Sequence, residues 1–306
     1  MPDPVPFVVV VGSINVDHIV TAPTFPRPGE TIFGTAVTSS VGGKGANQAV
    51  AAALAGATVE MVASTGDDGN GATARERLIE RGVRTTHVAV VEDEPTGTAW
   101  ITVAEEDNTI IVIPGANARW SGRPLPAAVG TAAVVLSQLE IPIDVVRAAA
   151  EQAQGSFVLN AAPAMALPDD LFARCDVLVV NEHELAIVAD VDRVDDADAI
   201  TLAHAGLRDR GVAAVVTTRG AAGVVVTDND GVTTVLDALP SDVVDTTGAG
   251  DAFAGVLAAR LADGEPLVQA CRWGVVAGAL AVRGIGAQDS YPDLPTLSEA
   301  LKEMDR

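Results

Sequence analysis

The 306-residue chain is predicted to adopt an α/β fold, a three-layer αβα Rossmann-like sandwich that carries a small β-sheet lid. Short β-branched runs alternate with segments of helical apolar spacing over most of the chain, the pattern of a parallel sheet wrapped by helices on both faces. Two stretches, 14–40 and 95–113, break that rhythm by alternating polar and apolar residues with no helical partner. At 48% hydrophobic residues, the chain can bury a large core, which suits one large domain (1–306) with a small appendage.

Taken in order, residues 7–11 (FVVVV) read as the first strand, because the N-terminal segment lacks a basic region and its apolar run is short for a signal peptide. Further strands are expected at 59–63, 133–136, 157–160, 177–180, 214–217 and 223–227. Helical spacing marks 45–54, 71–81, 145–154, 182–188, 197–210, 252–261 and 268–282. The alternation at 14–40, and in TAWITVAEEDNTIIVI within 95–113, reads as antiparallel hairpin strands. The Ala/Pro-rich stretch 121–128 is a surface connection.

A net charge of −22 argues against nucleic acid or an anionic membrane surface as a partner, since both would repel such a field. Lys44 and Lys302 are the only lysines, against 17 arginines, and aromatic residues make up only 3%. That bias points to a high-salt cytoplasm, where molar salt screens repulsion to a Debye length of about 3 Å. Cys175 and Cys271 form no disulfide framework, and His18, His87, His183 and His204 no metal-ligand spacing, so a reducing compartment is expected. No apolar stretch approaches the length of a membrane span.

The stretch 245–253, DTTGAGDAF, places the carboxylate of Asp251 behind a small-residue turn that opens an apolar helix. Gly248, Ala249 and Gly250 let backbone N–H groups approach a ligand, and the start of a helix attracts polyanions. Asp251 stands where a hydroxyl proton can be collected while those N–H groups hold charge developing on a transferred phosphoryl group. A capped helix after a glycine turn is the plainer alternative. Phe253 occupies the third-glycine position of G-x-G-x-x-G, and no G-x-x-x-x-G-K-[ST] occurs, so both common nucleotide motifs are excluded. Near the other end, Asn15 and Asp17 are two apart and point to one side of an extended chain, where they can grip a small polyol.

With VGGKGANQA at 41–49, the DTTGAGDAF segment resembles the two signatures of the ribokinase family of carbohydrate kinases, the PfkB type. The resemblance covers nearly the whole chain, through GSINVDH from Gly12, FPRPGET from Phe25, STGDDGNG from Ser64, PTGTA from Pro95, PGAN from Pro114, QLEIP from Gln138, NEHE from Asn181 and TRGAAG from Thr218. It implies an ATP-dependent kinase acting on the primary hydroxyl of D-ribose, with deoxyribose, a nucleoside, fructose or a keto-deoxy sugar acid as alternatives. A non-catalytic sugar sensor is a further class, set against intact Asp251, Gly248, Gly250 and Lys44.

By that resemblance Asn15, Asp17, Gly43, Lys44, Asn47, Glu140 and Asp251 hold the sugar, and Asp251 is the base beside the anion-holding Gly248, Ala249 and Gly250. Asn181, Thr218, Gly220 and Gly250 line the ATP site, with Val275 and Ala279 in the adenine wall. Glu184 takes hydrated Mg²⁺, which needs few protein ligands; capping of a helix by Asn181 stays open. Asp245, Thr247, Ala281, Gly284, Gly286 and Ser290 match a monovalent cation site, usually potassium. The stretches 14–40 and 95–113 become a lid over the sugar that also serves as a homodimer contact, with Ile32, Phe33, Trp100 and Ile101 as candidates.

Overall fold

The computed structural model describes residues 7–105, 107–120 and 123–304. The first six residues of the opening segment, residue 106 of the second alternating stretch and the first two residues of the 121–128 connection lie outside that set. In chain order the elements are β1 (Phe7–Val11), β2 (Asn15–Thr21), β3 (Ala36–Gly42), α1 (Lys44–Leu54), β4 (Thr58–Gly66), α2 (Gly69–Glu80), β5 (Val83–Val91), β6 (Gly97–Ala104) and β7 (Asp107–Ile113). There follow α3 (Ala127–Thr131), β8 (Val134–Ser137), α4 (Ile143–Gln152), β9 (Ser156–Asn160), α5 (Asp169–Phe172), β10 (Val177–Asn181), α6 (Glu182–Ala189), α7 (Ala197–Asp209) and β11 (Ala214–Thr218). The chain continues through β12 (Val224–Thr227), β13 (Thr233–Leu236), α8 (Ala249–Ala262), α9 (Leu267–Ala281) and α10 (Leu294–Met304).

Nine strands form one sheet in the order β13-β12-β11-β10-β9-β8-β1-β4-β5. From β5 to β11 neighbours run parallel, whereas β12 and β13 run antiparallel. The sheet is therefore mixed and not wholly parallel as expected. The cause is local: only residues 219–223 separate β11 from β12, and a parallel return needs a crossover of about a dozen residues or more.

The 14–40 and 95–113 stretches form the second sheet, ordered β3-β2-β6-β7. Each is an antiparallel hairpin, but the two join through a parallel β2–β6 pair, which the alternation did not reveal. Both β2 and β6 leave the carboxyl edge of the large sheet, after β1 and β5, so they set out in the same direction.

Along β1 the period of two divides the core. Val8 and Val10 pack with α1, α8 and α9, and Val9 and Val11 with the opposite layer containing α4 and α7. All four are fully buried. Because β1, β8, β9, β10 and β11 are parallel, their carboxyl ends share one edge, where an α/β sheet presents ligand-binding loops. Two glycines bring helices to that edge. A Cβ on Gly45 would lie 2.5 Å from Ser13 N, and one on Gly255 2.3 Å from Gln48 O, so α1 seats against the end of β1 and α8 crosses α1 at backbone contact.

Candidate active site

Gly248 precedes α8 in the left-handed region, φ 78°, and a Cβ there would lie 2.5 Å from Tyr291 Oη. Tyr291 Oη donates to Gly248 O at 3.1 Å, tying the turn to the core. At Gly250, by contrast, a Cβ would meet nothing within 4 Å, so this backbone faces open space beside the free N–H groups of the helix. The helix starts at Ala249, ahead of the expected residue 252, because Gly248 supplies the turn. Asp251 accordingly lies inside the first turn, and it is only 7% exposed. Its Oδ2 accepts from Asn47 Nδ2 at 3.0 Å and its Oδ1 from Gln48 Nε2 at 2.9 Å.

Asn15 and Asp17 open β2. Asn15 Oδ1 accepts from Asn117 Nδ2 at 2.8 Å, while Asn117 also bonds both the N–H and the carbonyl of Ile14 at 3.0 Å. A Cβ at Gly42 would lie 2.0 Å from Asp17 Oδ2, so that glycine makes room for the carboxylate. Gly43, at φ 87°, directs the chain into α1. Strand β8 ends at Ser137, and Glu140 stands in the following loop. There its Oε2 accepts from Ser13 Oγ at 2.6 Å and from Lys44 N at 2.9 Å, a carboxylate at the start of α1 where the helix dipole favours it.

Burial, then Glu140, then Asp251 push the Asp17 carboxyl up to about 7. Asp251 foremost, with Glu140 and Glu184, holds the Lys44 ammonium above the usual lysine range against the opposing effect of burial. The carboxylates offer acceptors for hydroxyl groups, and the single Lys44 ammonium a counter-charge for a phosphate.

On the other side of Gly250 lies a cavity of about 460 Å³, walled by Thr218, Gly220, Gly250, Phe253, Val275 and Ala279 among others. Its size and apolar walls, ending at the open N-terminus of α8, fit a purine nucleotide whose phosphates reach the helix. Asn181 is not part of this wall. It caps α6 in a reciprocal box, Asn181 Oδ1 accepting from Glu184 N and Glu184 Oε2 from Asn181 N, both at 2.8 Å. Burial chiefly raises the Glu184 carboxyl. Among the described residues no group of three or more acidic, His or Cys side chains is placed to hold a metal; the single Glu184 carboxylate would suit only an ion that takes few protein ligands.

Asp245 knits two loops together: Oδ1 accepts from Thr247 N at 2.9 Å and Oδ2 from Gly286 N at 2.8 Å. Burial raises its carboxyl, but these hydrogen bonds outweigh it and hold the group below the usual carboxylate range. Ser290 Oγ donates to Gly286 O at 2.7 Å, and Gly284 N to Ala281 O at 3.3 Å. These bonds hold the 245–247 and 281–290 loops against each other.

Residues 5–294 match the pfkB family of carbohydrate kinases. The chain belongs to that family. A ribokinase of Haemophilus influenzae is 38% identical over 300 residues, covering 96% of each chain. A deoxyribokinase of Salmonella typhimurium is 35% identical over 302 residues, covering 96% of this chain and 98% of its own. The structure of Arabidopsis thaliana ribokinase complexed with ribose and ATP is 30% identical and superimposes with a TM-score of 0.93, over 98% of this chain and 99% of that one.

In this pfkB-family kinase the strand ends bring Asn15, Asp17, Lys44, Asn47, Glu140 and Asp251 to one edge, with Thr218 and Gly220 beside the cavity. Sequence reasoning passed over Ser13, Gln48, Asn117, Gln138, Asn160 and Gln288, all buried. Gln48, Asn117 and Gln138 fall inside the motif segments GGKGANQA, PGAN and QLEIP, so motif membership was their signal. Asn160 ends an otherwise apolar strand, a weaker one.

Proposed function

We propose that this pfkB-family kinase transfers the γ-phosphoryl group of ATP to the primary hydroxyl of D-ribose, giving ribose 5-phosphate and ADP. The observation that carries this is Asp251, buried where the polar pocket of Asn15, Asp17, Lys44 and Glu140 meets the nucleotide-sized cavity at Gly250. The likeness to ribokinases supports ribose as the acceptor.

Asn15, Asp17 and Glu140 orient the sugar. Its primary hydroxyl oxygen bonds to the γ-phosphorus as the bond from phosphorus to the β-phosphate bridging oxygen breaks, and ADP departs with that electron pair. Asp251 receives the hydroxyl proton. A loose transfer releases the proton late, and positioning supplies most of the rate. Backbone N–H groups at 248–250 and the Lys44 ammonium stabilise charge on the moving phosphoryl group. Glu184 would hold a hydrated Mg²⁺, which would supply charge neutralisation at the phosphates. Asp245, Thr247, Ala281, Gly284, Gly286 and Ser290 frame the potassium site beside α8.

The second sheet acts as a lid, with Asp17 on the face toward the sugar. On the opposite face the cross-strand row His18, Trp100 and Ile111 leaves Trp100 and Ile111 exposed, as Phe33 is, whereas Ile32 and Ile101 are half-buried. This apolar row supports a homodimer formed through the lid. No described helix is long and apolar enough to cross a membrane.

The test is a panel of ribose, deoxyribose, fructose, nucleosides and keto-deoxy acids with ATP, Mg²⁺ and molar KCl, following ADP release. The highest kcat/KM is expected for ribose. A higher value for another acceptor moves the assignment to that sugar, and no turnover of any assigns a sensor.

A further inference from the structure

The side chains behind Asp251 form an amide chain whose polarity is set from the backbone. Val179 O, in β10, is an acceptor only, and Asn160 Nδ2 donates to it at 3.1 Å. Asn160 must then turn its carbonyl Oδ1 toward Gln48, whose Nε2 donates to it at 2.9 Å. The same NH₂ group of Gln48 donates to Asp251 Oδ1 at 2.9 Å. The Gln48 carbonyl is left facing Gln138, whose Nε2 donates to it at 2.6 Å. A second, shorter relay reaches the other carboxylate oxygen: Gln288 Nε2 donates to Asn47 Oδ1 at 3.1 Å, and Asn47 Nδ2 to Asp251 Oδ2 at 3.0 Å.

Gln48 and Gln138 are fully buried, Asn160 is nearly so, and the outer carbonyls of Gln138 and Gln288 have no hydrogen-bond partner. An orphaned buried carbonyl is costly, so rigidity and orientation, more than stability, explain the retention of amides in this apolar setting. Gly12 makes room for Gln138, because a Cβ there would lie 2.1 Å from its Oε1.

We propose that Gln48 is a positioning residue for Asp251, locked by Asn160 and Gln138 so that its NH₂ group, and never its carbonyl, meets the carboxylate. With one amide on each oxygen, the carboxylate cannot rotate away from the acceptor hydroxyl, and the lone pair that takes the proton keeps its direction. The proposal rests on Asp251 as the base. Gln48 is fully buried behind Asp251, so its loss acts on turnover and spares binding. Gln138 acts one amide further out: without it, the Gln48 amide is free to flip and present oxygen to oxygen.

The experiment compares Gln48→Met, Gln138→Met and the double variant, near in shape to wild type but without the amide. Turnover is measured in molar KCl per ribose-binding site counted calorimetrically, so that unfolded protein does not contribute, with Asp251→Asn alongside. Loss of a hydrogen bond to a charged group predicts a kcat lowered about 10- to 50-fold in Gln48→Met, with KM for ribose and ATP within about threefold of wild type. Gln138→Met is expected to lose about 3- to 10-fold, and adding it to Gln48→Met to change kcat less than about twofold, since both act through one contact. If Gln48→Met fails to fold, the KM-against-kcat split in Gln138→Met carries the test.

Wild-type kcat per site in both single variants, with turnover lost in Asp251→Asn, overturns the positioning role alone. Near-normal turnover in Asp251→Asn overturns the base assignment and the positioning role with it. Losses that multiply in the double variant overturn the relay.

Discussion

Asp17 should make the folded protein less stable as the pH rises, and Asp17→Asn should relieve it. In the folded chain, burial, Glu140 and Asp251 move this carboxyl from 3.8 to about 7, so the native state keeps a proton that the unfolded chain releases. For a carboxyl raised in this way, stability falls as pH climbs from about 4 and levels off above about 7. At 1.36 kcal/mol per pH unit the full displacement corresponds to about 4 kcal/mol. Shared titration with the neighbouring carboxylates and partial exposure reduce the expected gain to about 1–2 kcal/mol, or about 2–4 °C in Tm. The assay is thermal unfolding of wild type and Asp17→Asn at pH 4.5 and pH 8 in molar KCl, with and without ribose. The variant should gain little at pH 4.5 and most at pH 8, whereas ribose should raise Tm in wild type and hardly at all in the variant. Equal gains at both pH values, or none at pH 8, would refute the reasoning.

Four further outcomes are expected. Gly250→Ala should fold with unchanged Tm, because its Cβ meets open space, yet raise KM for ATP about tenfold or more by crowding the phosphates; normal ATP kinetics would place the phosphates elsewhere. Gly248→Ala, with φ 78° and Tyr291 Oη in the way, should instead lose about 2 kcal/mol of stability in denaturant titrations, and a stability loss at Gly250 with none at Gly248 would reverse the assignment. Dialysis from molar KCl into dilute buffer should unfold a chain of net charge −22 as screening is withdrawn; full retention of the circular dichroism signal would remove the high-salt adaptation. Replacing potassium with sodium at constant ionic strength should lower kcat, and an unchanged rate would dismiss the cation loops around Asp245 as a functional site.

The sequence by itself determined the inner strands of the large sheet and most of its flanking helices, because burial on both faces demands apolar runs that are visible locally. It also determined the glycine turn ahead of Asp251, since a left-handed residue at Gly248 restricts the residue type by itself. Strand β5, whose first half VRTTH is mostly polar, and the four-residue β13 lie at the two edges of that sheet and do not announce themselves. The antiparallel edge and the parallel β2–β6 junction depend on which strands become neighbours, and pairing partners leave no mark within a strand. The same holds for the site. Asp251, Lys44 and Asn15 stand in short motifs, but the donors that hold Asp251 come from 204 and 203 residues away, and the polarity of their amides is decided by a carbonyl of β10. Only the folded arrangement of α1, α8 and the strand ends puts those groups within hydrogen-bonding distance, so only the tertiary structure converts a motif carboxylate into an oriented one.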